Sequence, residues 1–99
     1  MTSDTIRLVA RLKARPDKVG ALHAVLFGLL APTRAEQGCI RYEMLQNLED
    51  PTDFTFIEEW SGQPAIDAHF GSEHIREALA QFPILLADEL DVRGYSLVG

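Results

Sequence analysis

A single cysteine, Cys39, stands among the 99 residues, so no intramolecular disulfide framework can form and the chain suits a reducing cytoplasm. No apolar run approaches the length of a membrane span, and the start lacks a cationic segment leading into an apolar one. The expectation is a soluble, cytoplasmic protein with no membrane partner. Bases are also scarce: nine Lys and Arg face fifteen Asp and Glu, and a net charge of −6 argues against nonspecific binding to nucleic acid. There is no glycine loop to cradle a phosphate and no G-x-S-x-G elbow. His69 and His74 are five residues apart across Gly71-Ser72, which is not an i, i+4 ligand pair on one helix. Neither a nucleotide cofactor nor a metal is expected.

What is present fits one globular domain over residues 1–99, with 46% hydrophobic and 24% charged residues and no internal repeat. Charge is unevenly placed. Residues 1–41 hold seven of the nine bases and three acids, while residues 42–99 hold two bases and twelve acids. Complementary strands of one sheet would account for this, as would basic and acidic faces of two copies.

Met1–Thr5 is polar and reads as loose. Ile6, Leu8, Ala10 and Leu12 then alternate with Arg7, Val9, Arg11 and Lys13, a half-buried strand. After Pro16 the spacing of Val19, Leu22, Val25/Leu26, Leu29 and Thr33 is helical, with a kink or end at Pro32 and a cap at Gly38. A second strand spans Cys39–Asn47 with Ile40, Tyr42 and Met44 on one face. The cluster from Glu49 to Asp53 turns it into a third strand. On that strand Phe54, Phe56, Glu58 and Trp60 share a face. Ser61 ends it and starts a helix, with Pro64 in the first turn and Ile66 and His69 on one side. Ser72 can cap a further helix striped by Ile75, Leu79 and Phe82 and stopped by Pro83. Glu89–Val98 reads as a last strand, bulged at Gly94.

The order β-α-β-β-α-β is the ferredoxin-like arrangement, an α+β fold with a four-stranded antiparallel sheet covered by helices on one face. Its first strand lies between the third and the last, which would set Arg7, Arg11 and Lys13 beside Glu59, Glu89 and Asp91. Val9, Ile57 and Leu97 on the uncovered face make a candidate dimer surface.

The stretch Thr33-Arg34-Ala35-Glu36-Gln37-Gly38-Cys39-Ile40-Arg41-Tyr42 resembles the T-R-x-E-x-G-c-x-x-Y segment of the antibiotic-biosynthesis-monooxygenase domain family. Phe54–Trp60 resembles its F-x-x-x-E-x-W strand, and Ala65–His69 with Ser72-x-His74 resembles its helical pieces. The resemblance covers nearly the whole chain and implies a dimeric ferredoxin-like α+β barrel. Enzymes of the family include monooxygenases that oxidise phenolic or quinol-like aromatics with dioxygen and no bound metal or flavin. Others isomerise small phosphorylated carbonyl compounds, degrade haem, or have no assigned activity. The haem-degrading branch uses an asparagine in the first strand, which Ile6–Lys13 lacks, and a tryptophan about where His69 falls.

Cofactor-independent oxygenation needs a base to form the phenolate, a dry pocket, and donors for the resulting anion. Candidates for the base are His69 and Glu58; walls come from Phe54, Phe56, Trp60 and Phe82; donors from Tyr42, Trp60, Arg34 or His74. Each has a plainer reading. Glu58 can be an ion pair with Arg34 or Arg41, His69 a satisfied core imidazole, and Trp60 and Tyr42 ordinary core. His23 falls beside the apolar stripe and reads as surface; Cys39 reads as a small buried hydrophobe. The expected catalytic residues are His69, Glu58 and Trp60, and the expected substrate-binding ones are Tyr42, Phe54, Phe56, His74, Phe82 and Arg34. The function implied is a homodimeric monooxygenase of a small quinol- or phenol-like aromatic, with a non-catalytic ligand-binding or stress-associated protein and a carbonyl isomerase as the alternatives. The isomerase would need a cationic pocket, drawn from Arg34, Arg41 or Arg76.

Overall fold

The alternation of residues 6–13 becomes a central strand, β1 (Ile6–Lys13), in a computed structural model that describes residues 5–99. Apart from Thr5, the loose segment expected at Met1–Thr5 lies outside the described residues. The chain continues through α1 (Val19–Phe27), α2 (Leu30–Arg34), β2 (Cys39–Gln46), β3 (Asp53–Trp60), α3 (Gln63–Phe70), α4 (Glu73–Leu85) and β4 (Asp91–Tyr95). The strands form one antiparallel sheet in the order β2-β3-β1-β4. This is the ferredoxin-like α+β fold anticipated from the sequence.

The period of two decides which side chains meet the helices. Leu8, Ala10 and Leu12 of β1 and Phe54, Phe56 and Trp60 of β3 join Leu22, Leu26, Ile66, Ile75 and Phe82 of the helices in one core. On the other face Arg7 pairs with Glu59 at 3.5 Å and Arg11 with Asp53 at 3.1 Å, while Arg11 lies opposite Asp91 in register. Glu89 precedes β4 and lines a surface cleft with Arg11 and Lys13, with no ion pair to either among the described residues.

Proline acts differently at its two helical positions. Pro32 cannot donate to the carbonyl four residues back, and the first helix divides there, between Phe27 and Leu30. Pro83, expected to stop the last helix, instead lies inside α4. Arg15 secures the turn beyond it: its Nη2 donates to Pro83 O at 2.8 Å, its Nε to Leu86 O at 3.1 Å, and its backbone N–H to Leu85 O at 2.9 Å. The carbonyls at the helix end are thereby satisfied.

Other boundaries shift. Gly62, not Ser61, precedes α3, with Pro64 in the first turn as expected. Ser72 precedes α4 but does not cap it with its side chain; its hydroxyl donates to His69 O at 2.6 Å. The last strand is shorter than Glu89–Val98 and pairs without interruption through Gly94 opposite Leu8. The irregularity is in β2, where Cys39 faces Trp60 and Arg41 already faces Glu59. Ile40 is the extra residue, so it is exposed rather than sharing the inner face with Tyr42.

Candidate active site

Three polar side chains enter the helix-covered face, each for a local reason. Glu58 follows the parity of β3, and Tyr42, opposite it on β2, shares that face with Met44. His69 occupies the last turn of α3, one turn after the buried Ile66. All three line a cavity whose other walls include Leu26, Phe56, Phe70, Ile75 and Phe82. Cavity and mouth enclose about 390 Å³, of which the centre of a water molecule can reach about 40 Å³. Leu79 and Val92, both partly exposed, stand at this cavity.

Glu58 is 3% exposed and has no cationic partner among the described residues. Arg34, proposed from sequence as its counter-ion, donates from Nε and Nη2 to the Tyr42 carbonyl at 3.1 and 2.9 Å; Arg41 instead approaches Glu43 at 3.8 Å. The partner of Glu58 is its strand neighbour on the same face, Trp60, whose Nε1 donates to Oε1 at 2.8 Å. Burial pushes the Glu58 carboxyl up to about 7; the indole bond opposes this and the charge of Glu36 adds to it. A carboxyl near neutrality can both accept and return a proton. Burial, with the Glu58 charge adding to it, raises the Tyr42 phenol well above its usual range, so it is a hydrogen-bond donor.

His69 is held on several sides. Its ring lies 4.6 Å from that of Trp60, with Tyr42 and Phe70 edge-on at 5.8 and 5.2 Å. Nδ1 is 2.7 Å from Glu36 Oε2. In the tautomer that donates from Nδ1 to Glu36, Nε2 is left as an acceptor, with no hydrogen bond among the described residues. Burial lowers the pKa of His69 and the Glu36 bond partly restores it. Glu36 Oε2 also lies 2.8 Å from His74 Nε2, so two histidines share one carboxylate oxygen. The ligand-capable atoms of Glu36, His69 and His74 all lie within 4.8 Å of one another.

The loop carrying Glu36 is fixed by Gly38, which has φ of 88°, the left-handed region that favours glycine. A Cβ there would stand 2.6 Å from both Ala65 Cβ and Ser61 Oγ, so the loop packs directly against the start of α3. The Gly38 carbonyl accepts from Ser61 N–H at 2.8 Å.

Of the residues expected at a site, Tyr42, Phe56, Glu58, His69 and Phe82 surround the cavity. Trp60 stands behind Glu58 and His69, and His74 lies outside the cavity, linked to His69 through Glu36 and Ser72. Phe54 faces His23 instead, at 5.9 Å, and Arg34 serves the backbone of β2. His23 is exposed as expected, and Cys39 is half-buried with its thiol pKa raised chiefly by burial. Glu36 was not singled out from sequence, although it occupies the glutamate position of the T-R-x-E-x-G segment.

The fold and cavity define a ferredoxin-like α+β protein with an apolar pocket edged by acid–base groups. A family model described as antibiotic biosynthesis monooxygenase matches residues 5–81, and the chain belongs to that family. It is 37% identical over 86 residues to protein Rv0793 of Mycobacterium tuberculosis, covering 87% of this chain and 83% of that one. Protein sll1783 of Synechocystis is 30% identical over 94 residues, 95% of this chain, which spans 64% of the length of that relative. Among solved structures, PA3566 from Pseudomonas aeruginosa superposes with a TM-score of 0.93 at 29% identity, covering 100% of this chain and 99% of that one. The structure of Rv0793 gives 0.91 at 30% identity, with 96% of each chain covered.

Proposed function

We propose that the protein is a homodimeric monooxygenase that oxidises a small quinol- or phenol-like aromatic with dioxygen, using its own side chains for the acid–base steps. The observation that carries this reading is the convergence of Tyr42, Glu58 and His69 on one otherwise apolar cavity. His69 Nε2, with the Glu58 carboxylate as the second acceptor, removes the phenolic proton. The resulting anion gives one electron to dioxygen, and the radical pair collapses to a carbon-bound peroxide. The Tyr42 hydroxyl donates a hydrogen bond to the peroxide, whose terminal oxygen takes back the proton held by His69. The Glu58 carboxylate then removes the hydrogen on the peroxide-bearing carbon, and the C–H electron pair forms the new C=O as the O–O bond breaks. The departing hydroxide takes that proton to leave as water. Phenol and dioxygen thus become quinone and water. A ring-sized occupant would need Leu79 and Val92 to turn outward from the cavity.

No lysine or arginine lines the cavity among the described residues, which favours this reading over a phosphorylated-carbonyl isomerase. The dimer would bury the uncovered sheet face, where half-buried Val9 and Ile57 lie and Leu45 is exposed.

Oxygen uptake with a panel of hydroquinones and naphthols tests the proposal, comparing wild type with His69→Ala and Trp60→Phe. The expected result is uptake above autoxidation that His69→Ala lowers at least a hundredfold, consistent with loss of a general base. Uptake no faster than autoxidation while aromatics still bind would replace the reading with that of a ligand-binding protein.

A further inference from the structure

The carboxylate shared by two histidines is used only in part by the chemistry above. We propose that Glu36, His69 and His74 form a binding site for a first-row divalent transition-metal ion, of the zinc or cobalt type, beside the substrate cavity. Neither Glu36 nor His74 lines that cavity. The metal would therefore sit on the Nδ1 side of His69, away from the substrate.

Three segments supply the ligands: the turn after α2, the last turn of α3 and the first turn of α4. Glu36 Oε2 is 2.7 Å from His69 Nδ1 and 2.8 Å from His74 Nε2, and the two rings are 6.2 Å apart. Replacing bridging protons by one ion at the usual ~2.0–2.1 Å bond lengths requires the carboxylate to draw back by roughly half an ångström and the partly exposed His74 ring to swing toward His69, because the ligand atoms now lie up to 4.8 Å apart. The supports are already in place. His69 is 2% exposed and packed against Trp60, and Ser72 Oγ ties the α3–α4 junction to His69 O.

Charge points the same way. Among the described residues no lysine or arginine pairs with Glu36; its partners are the two imidazoles. A half-buried carboxylate with two imidazoles and no lysine or arginine against it is a donor set that a dication can complete. Two imidazole nitrogens and one carboxylate oxygen suit zinc, cobalt or nickel, whereas calcium and magnesium prefer oxygen. His74, with its side chain 24% exposed, gives the ion an entry side and leaves room for water as a further ligand.

Occupancy would also change the cavity. A metal on Nδ1 displaces that hydrogen, so Nε2 of neutral His69 carries the remaining one and becomes a donor.

Titration calorimetry of the full chain with Zn²⁺, and visible absorption with Co²⁺, test the site beside Glu36→Gln, His74→Ala and the off-site control His23→Ala. Expected are one ion per chain, cobalt d–d bands of low coordination number, and at least tenfold weaker binding in the first two variants alone. Circular dichroism checks that each variant is folded. Nitrogen-15 spectra of the histidines, expected to show the His69 hydrogen moving from Nδ1 to Nε2 on zinc addition, test the site in the unaltered chain. Wild-type affinity no greater than that of His74→Ala, or a His69 tautomer unmoved by zinc, would overturn the proposal.

Discussion

Glu58 and Glu59 are chain neighbours on the two faces of β3, and the sheet gives them opposite chemistry. Glu59 points away from the helices, 3.5 Å from Arg7, with Thr5 Oγ1 donating to it at 2.9 Å. Glu58 points into the core, where burial outweighs the indole hydrogen bond and holds its carboxyl near 7. One residue of displacement along an alternating strand separates a structural carboxylate from one fit for proton transfer. The rest of β3 follows the same division, with Phe54 and Trp60 fully enclosed and Ile57 half-buried.

The largest effect that would sharpen this contrast comes from its apolar members. Phe54→Ala should cost about 3–5 kcal/mol in urea denaturation, whereas Ile57→Ala on the outer face should cost clearly less in the monomer. Equal losses would break the distinction between faces.

Glu58→Gln should have the next largest effect, and one that depends on pH. The folded state keeps the Glu58 proton up to about 7, while the unfolded chain loses it near 4.5. In that window the folded state binds more protons, so this group's contribution to stability falls as pH rises and is lost above 7. The total is about 3 kcal/mol. The variant should therefore gain stability at pH 8, and its difference from wild type should shrink towards pH 4.5. A constant difference across that range would show that Glu58 is not held protonated.

Arg7→Gln should be the smallest. Its loss on the solvent side should stay within about 1 kcal/mol and diminish in high salt.

The sequence made β3 legible because four large or acidic residues at spacing two leave little choice of face. It did not reveal the bulge at Ile40, since one extra residue in a β-rich run leaves no compositional trace; parity counted through it places Ile40 inside. Parity also cannot say which end of a face lies under which helix, which is why Phe54 was grouped with Phe56 although it faces His23. Glu36 was hidden for another reason. A polar residue at a helix end looks solvated in sequence, and its partners His69 and His74 are 33 and 38 residues away. Arg34 was assigned to a carboxylate, whereas its guanidinium donates to a backbone carbonyl of the adjoining strand.

Gly38 bears on how variation in this chain should be interpreted. Its missing side chain lets the Glu36 loop rest on Ser61 and Ala65. A saturation library scored for function would show this position as intolerant as His69, though Gly38 offers no group that could react with or grip a ligand. A mutational tolerance map of this protein would therefore chart clearance as much as chemistry, and ranking positions by intolerance alone would mistake a spacer for a reactant.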